Sequence, residues 1–224
     1  MNLIDLSVVI PVFRSESVLE PLFERLTAVL DATERSYEIV FVDDGSPDRS
    51  WDVLCELRAR SPERVTAIQL MRNFGQHNAL MCGFAHARGH YIVTMDDDLQ
   101  NPPEEVPKLL EAIRKGDLDV VYGQYDKKQH HQGRNLGSKV VNAFFRLVFR
   151  SRATITSFRI IRRDVLESIL SYDLNFTLVD GLLAWNTRRI GTVPVEHHPR
   201  QEGGSGYSLG KLLTLALNLF TNFS

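Results

Sequence analysis

Residues 91–105 read "YIVTMDDDLQNPPEE". An apolar, β-branched run suited to a strand ends abruptly in three consecutive carboxylates, Asp96, Asp97 and Asp98. Like charges that close repel, so something must compensate them. In an extended segment alternate side chains share a face, which puts Asp96 and Asp98 together and Asp97 opposite. Two hard oxygen ligands at that spacing, with Gln100 close behind, suit a Mg2+ or Mn2+ ion that takes its remaining ligands from water and a diphosphate. The competing reading is a solvated acidic turn that caps the helix after "NPPEE", because Asp also favours a helix N-terminus.

Outward from this stretch the same rhythm repeats. "LSVVIPV", "YEIVFVD", "VTAIQLM" and "LDVVYG" join "YIVTMD" as strands. Between them "VLEPLFERLTAVLDA", "SWDVLCELRARS", "HNALMCGFAHAR" and "EVPKLLEAIRKG" space their apolar residues at helical intervals. Strand–helix alternation with nearly all-apolar strands predicts an α/β fold, a Rossmann-like, mostly parallel sheet covered by helices on both faces. Beyond Gly123 the rhythm breaks at the polar "QYDKKQHHQGR", expected to be a loop. A helix "NLGSKVVNAFFRLVFR", a strand then a helix in "TSFRIIRRDVLESIL", a helix "VDGLLAWNTRRIG" and a strand "TVPVEHH" follow. The expected organisation is a first half at 1–123, a second half of the same domain at 124–207, and an amphipathic helix at 208–224 suited to a membrane interface or to the core.

Bulk composition sets limits. The 224 residues are 43% hydrophobic, enough for a sizeable core, and the net charge of -2 offers no global field for nucleic acid. Cys55 and Cys82 are the only cysteines, so neither a disulfide framework nor a zinc knuckle is indicated, and a reducing cytoplasm fits. The N-terminus lacks the basic flank of a signal peptide, and no apolar stretch reaches the ~18 residues of a membrane span.

Three strands end in chemistry-bearing residues, at "PVFRSE", "VDDGS" and "MDDDLQ". In an open parallel sheet ligands bind beyond the carboxyl ends of the strands, so the three are expected to line one cleft. In "VDDGS", Gly45 supplies a positive φ for a turn, and Ser46 or Asp48 caps the next helix. Asp43 or Asp44 would accept hydrogen bonds from a base or ribose. Neither G-x-G-x-x-G nor G-x-x-x-x-G-K-[ST] is present, so phosphate charge must be met by metal rather than by a glycine-rich loop.

Together "VVIPVF", "VDDGS", "RNFGQHNAL", "DDDLQNPPEE" and "HHPRQEGGSGYSLGKL" resemble glycosyltransferase family 2, of the GT-A fold. The likeness is greatest to the branch that moves a sugar from a nucleotide donor to a polyprenyl phosphate. The resemblance implies that Pro11, Phe13, Asp43 and Asp44 hold the nucleoside and that Arg72 sits near the donor. It also implies that Asp96, Asp98 and Gln100 handle metal and diphosphate, with Asp97 on the donor side. Where the family reads P-V-Y-N-E this chain has "PVFRS", with Glu16 one position beyond the usual acid. Many members carry an Asp about five residues before the Arg of an "F-R" motif, where this chain has Thr154. Asp180, Leu183, Arg188 and Gly191 partly match the pattern E-D-x-x-L-x-x-R-x-x-x-G in which the family places its base. Asp180 is also readable as a helix N-cap.

A base is needed when the acceptor is a hydroxyl, but a phosphate is already ionised near neutrality. Such an acceptor should be met by cations, and Arg134, Lys139, His198, Arg200 and Lys211, with Ser205 in the glycine-rich stretch, are candidates for it. The expected function is inverting, metal-dependent transfer from a UDP- or GDP-linked sugar to an undecaprenyl-type phosphate, at the inner face of the cytoplasmic membrane. The alternatives are a non-catalytic sugar-nucleotide-binding module docked at a membrane or partner, and a sugar-nucleotide pyrophosphorylase. The last needs a glycine-rich loop that "PVFRSESVLE" lacks.

Overall fold

A computed structural model of the protein describes residues 4–125, 155–172 and 178–198. The expected elements appear in order. They are β1 (Ile4–Val12), α1 (Leu19–Asp31), β2 (Tyr37–Asp43), α2 (Ser50–Arg60), β3 (Val65–Gln69), α3 (Gln76–His86) and β4 (Gly89–Thr94). A 3-10 turn (Pro103–Glu105) leads into α4 (Val106–Lys115) and β5 (Val120–Tyr125). After the undescribed stretch come β6 (Arg159–Arg162), α5 (Arg163–Leu170), α6 (Val179–Asn186) and β7 (Ile190–Val195). The helix expected at 135–150 and the amphipathic segment at 208–224 lie outside the described residues.

The strands form one sheet in the order β3-β2-β1-β4-β6-β5-β7. β6 runs antiparallel to both its neighbours, β4 and β5, while every other pairing is parallel. Alternate residues serve opposite faces. Val8, Ile10 and Val12 of β1 pack with α1, α2 and α4, whereas Val9 packs with α3, α5 and α6. On β2, Ile39 and Phe41 take the first face and Val40 and Val42 the second. Double-sided burial is why these strands read as unbroken apolar runs.

β2 and β4 leave β1 on opposite sides, so the sheet changes winding direction between β1 and β4. That switch point is where such folds open a ligand crevice. Pro11 helps to open it. Val9 O still accepts from Met95 N at 3.4 Å, and Val9↔Thr94 is the last paired position of β1 with β4. Pro11 faces the same edge two residues later and has no N–H to continue the ladder.

The helix expected to run through "VDGLLAWNTRRIG" stops at Asn186. Thr187 is extended, and its hydroxyl donates to Asp119 at 2.5 Å. Arg189 grips Asp119 and Asp117, drawing the chain into β7. These contacts override the local helical periodicity.

Candidate active site at the β1–β4 crevice

β4 ends at Thr94, so Asp96, Asp97 and Asp98 lie on a bend beyond the strand, where strict alternation no longer applies. Asp96 and Asp97 nevertheless diverge. Asp96 accepts from Gln76 Nε2 at 2.6 Å and from Ser157 Oγ at 2.5 Å, which ties it to α3 and to the approach to β6. Asp97 turns the other way and accepts from Phe13 N at 3.1 Å and Ser15 Oγ at 2.5 Å, both just past β1. Asp98 Oδ1 accepts from Gln100 N at 3.1 Å. The bend is sharpened by Leu99, a non-glycine residue at φ +58° whose side chain is buried in the core. Core packing of Leu99 thus holds a conformation that costs about 1–3 kcal/mol by itself.

None of the three carboxylates caps a helix. The N-cap positions of the 3-10 turn and of α4 are Pro102 and Glu105, and neither helix start receives a side-chain cap. The solvated-cap reading of the triplet therefore fails. Burial raises the pKa of Asp96, and the charge of Asp98 adds to it. Burial likewise lifts Asp97 to about 6, against the pull of its hydrogen bonds to Ser15 and Phe13.

Among the described residues no three His, Cys, Asp or Glu side chains form a self-sufficient ion site. The donors on this loop are oxygens only, from two carboxylates and an amide, which fits a hard divalent ion that draws its other ligands from a diphosphate and water.

Strand β2 delivers the second cluster. Asp43 is fully buried, its carboxylate accepting from Ser46 N at 3.1 Å and Gln69 Nε2 at 3.3 Å. Asp44 accepts from Phe74 N at 2.7 Å and Gly75 N at 2.8 Å, and burial raises its pKa. It thereby draws the 71–75 loop, with Arg72, toward the end of β2. Gly45 has the expected positive φ, +69°, and a Cβ there would stand 2.6 Å from the Arg72 carbonyl carbon. Arg72 lies over the Phe74 ring at 4.8 Å and Arg14 over Phe13 at 5.2 Å, so two exposed cation–aromatic pairs flank the crevice. Asp48 precedes the N-cap of α2, which is Arg49 and not Asp48, and accepts from Ser50 N at 3.2 Å. Ser46 does not cap it; its hydroxyl accepts from Arg14 N at 3.1 Å. Glu16 is committed to the same helix start through Arg49 N at 2.8 Å.

The far side is closed by the chain leaving β7. His198 N donates to Gln100 O at 2.8 Å, and Gln100 Nε2 reaches His198 O at 3.4 Å. The Tyr125 ring packs on His197 at 4.1 Å, and its hydroxyl donates to Asn101 at 2.8 Å. Arg134, Lys139, Arg200, Ser205 and Lys211 lie outside the described residues, as does Thr154.

Asp180 is placed differently from its expected role as a cap. The N-cap of α6 is Leu178, so Asp180 is not the cap. It is only 8% exposed, and its Oδ1 accepts from Tyr122 OH at 2.9 Å and from Arg159 Nη1. Gln76, Ser157 and Tyr122 fall outside the residues that the sequence reading names, while Ser15 enters it only as the replacement for the family's acid and Arg159 only as the Arg of the "F-R" motif. The signal for two of them was present in "TSFR", a stretch read only for the acid it lacks.

The model of the family described as "Glycosyl transferase family 2" matches residues 7–170. An undecaprenyl-phosphate 4-deoxy-4-formamido-L-arabinose transferase of Edwardsiella ictaluri is 40% identical over 220 residues, 96% of this chain and 66% of that protein. The protein of the same name from Sodalis glossinidius is 36% identical, over 99% of this chain and 68% of its own length. The chain thus spans about two thirds of the length of these curated relatives. Among solved structures, glucosyl-3-phosphoglycerate synthase from Mycobacterium tuberculosis with Mn2+, UDP and phosphoglyceric acid superposes with a TM-score of 0.70 at 17% identity, over 97% of this chain and 78% of that one. S. aureus TarS 1–349 with UDP-GlcNAc gives 0.64 at 20% identity, over 96% and 66%. At those identities the structures speak to the fold, and they share the expected GT-A architecture.

Proposed function

This chain belongs to glycosyltransferase family 2, and on that premise we propose that it transfers a sugar, with inversion, from a nucleoside-diphosphate donor to a polyprenyl phosphate of the undecaprenyl type. The observation that carries the reading is the acidic loop at the β1–β4 crevice, held from both sides and capping no helix. The acceptor class rests on the names of relatives that align with nearly the whole chain.

On the donor side Pro11, Phe13, Asp43, Asp44 and Arg72 surround the nucleoside, which is uridine or guanosine. Asp97 holds the turn after β1 so that the Phe13 ring stays at the rim. Glu16 steadies the start of α2. A Mg2+ or Mn2+ ion held by Asp96, Asp98 and Gln100 would supply positive charge to the departing diphosphate.

A phosphate acceptor arrives ionised and needs no base. That agrees with the engagement of Asp180 by Arg159 and Tyr122, since a carboxylate closed off in an ion pair is poorly placed to take a proton. His198, Arg134, Lys139, Arg200, Ser205 and Lys211 then serve as the acceptor's phosphate contacts. Residues 208–224 bring the crevice to the inner face of the cytoplasmic membrane. Among the described residues no helix is long and apolar enough to cross a membrane.

The test is a screen of nucleotide sugars for release of nucleoside diphosphate, with and without metal and with and without undecaprenyl phosphate. The expected result is release that requires metal and is stimulated by the lipid phosphate. Tight donor binding with no release under any condition would make the protein a binding module instead.

A further inference from the structure

Among the described residues, Arg159 is the largest side chain to be buried completely, 1% exposed. Its Nη1 donates to Asp180 Oδ1, which also accepts from Tyr122 OH, so β5, β6 and α6 meet at one ion pair. Sealing two charges in a core forfeits their hydration, and such a pair is often no more stabilising than two apolar side chains of similar volume. This one is also incompletely satisfied. Arg159 Nε is buried with no hydrogen-bond partner, and so is Nδ1 of His77, which lies close enough to feel the charges of both Asp180 and Arg159. Stability alone gives little reason for the arrangement.

Its position gives a better one, because both side chains that hold Asp96 hang on neighbours of the pair. Gln76, which donates to Asp96 Oδ1, precedes His77 on the first turn of α3. Ser157, which donates to Oδ2, lies two residues before Arg159. Arg159 stands opposite Thr94 in the β4–β6 ladder, and Thr94 Oγ1 donates to Ser157 O at 2.6 Å. The geometry points to Arg159, clamped by Asp180 and Tyr122, as a positioning residue that fixes the Asp96 carboxylate for the cation and diphosphate. The inference rests on the metal-dependent reading above and adds a role for the "F-R" stretch and for Asp180.

The test separates position from stability. Arg159→Met combined with Asp180→Leu removes both charges at similar volume, which spares the fold by the reasoning above. UDP, with GDP in parallel as the other nucleobase, is titrated by calorimetry in excess Mn2+ and again in EDTA. The double variant is expected to melt cooperatively and to bind nucleotide about 10–100-fold more weakly in Mn2+, with little change in EDTA. Tyr122→Phe removes one hydroxyl from the clamp and decides the matter if the double variant does not fold. A loss of about threefold or more in the Mn2+ titration supports the inference, and wild-type affinity overturns it. A folded double variant with wild-type affinity in Mn2+ also overturns it, leaving the proposed function standing. A wild-type chain that binds nucleotide equally well in Mn2+ and in EDTA overturns the metal-dependent reading, and this inference with it.

Discussion

Asp97 accepts two hydrogen bonds from the turn after β1, yet burial still leaves its pKa at about 6. That lies above the ordinary carboxylate value, so the folded chain holds more protons than the unfolded one between about pH 4 and about pH 6. Stability should therefore fall as pH rises through that window, by about 2–3 kcal/mol for the full shift. Asp96 and Asp44 are shifted in the same direction, also first by burial. The metal-free chain in EDTA is expected to resist urea better at pH 5 than at pH 7, and Asp97→Asn to reduce that difference. An unchanged slope would contradict it. At Asp98 the expectation concerns chemistry. Asp98→Ala should lower kcat/KM at least about 100-fold, as losing charge stabilisation of a leaving group does, with an unchanged melting curve. Asp180→Asn tests the buried ion pair. Leaving Arg159 without its counter-ion should cost about 3–5 kcal/mol in a denaturant titration, whereas an unchanged melt would show that Arg159 does not depend on Asp180 for its charge balance.

Among elements, the strands were the most legible, because residues buried on both faces leave an unbroken apolar signature. The rim acids were legible for the complementary reason, as charges where such a run stops. Their orientation was legible only in part: Asp97 does turn away from Asp96, but strand alternation is not what sets it. Alternation holds only within a strand, and β4 ends two residues before Asp96. The Arg159–Asp180 pair was illegible. It joins a strand to a helix through a sheet register that the residues themselves do not announce. Ser15 and Ser157 are single hydroxyls whose meaning comes only from the carboxylates opposite them. The turn after β2 carries its own prediction. Gly45→Ala would hold a side chain at positive φ and drive its Cβ against the Arg72 backbone. A stability loss of about 1–3 kcal/mol is expected. Nucleotide binding should weaken with it, because the same clash displaces the 71–75 loop. A variant with wild-type stability and affinity would show that this loop does not set the donor pocket.

For the molecule as a whole, the sheet's change of winding between β1 and β4 gathers the ends of three strands, and that convergence was readable from the alternation of elements alone. The antiparallel run of β6 was not, since nothing in "FRIIR" distinguishes direction. β6 matters because it brings Ser157 and Arg159 behind the acidic loop, turning a row of repelling carboxylates into a held set of oxygens. The most direct measurement is a crystal structure with a nucleoside diphosphate and Mn2+, read from the manganese anomalous signal. A peak at about 2.1 Å from an Asp98 carboxylate oxygen, bridging to the diphosphate in the β1–β4 crevice, is expected. A diphosphate bound there with no metal, or with its metal away from Asp96 and Asp98, would contradict the assignment of that loop.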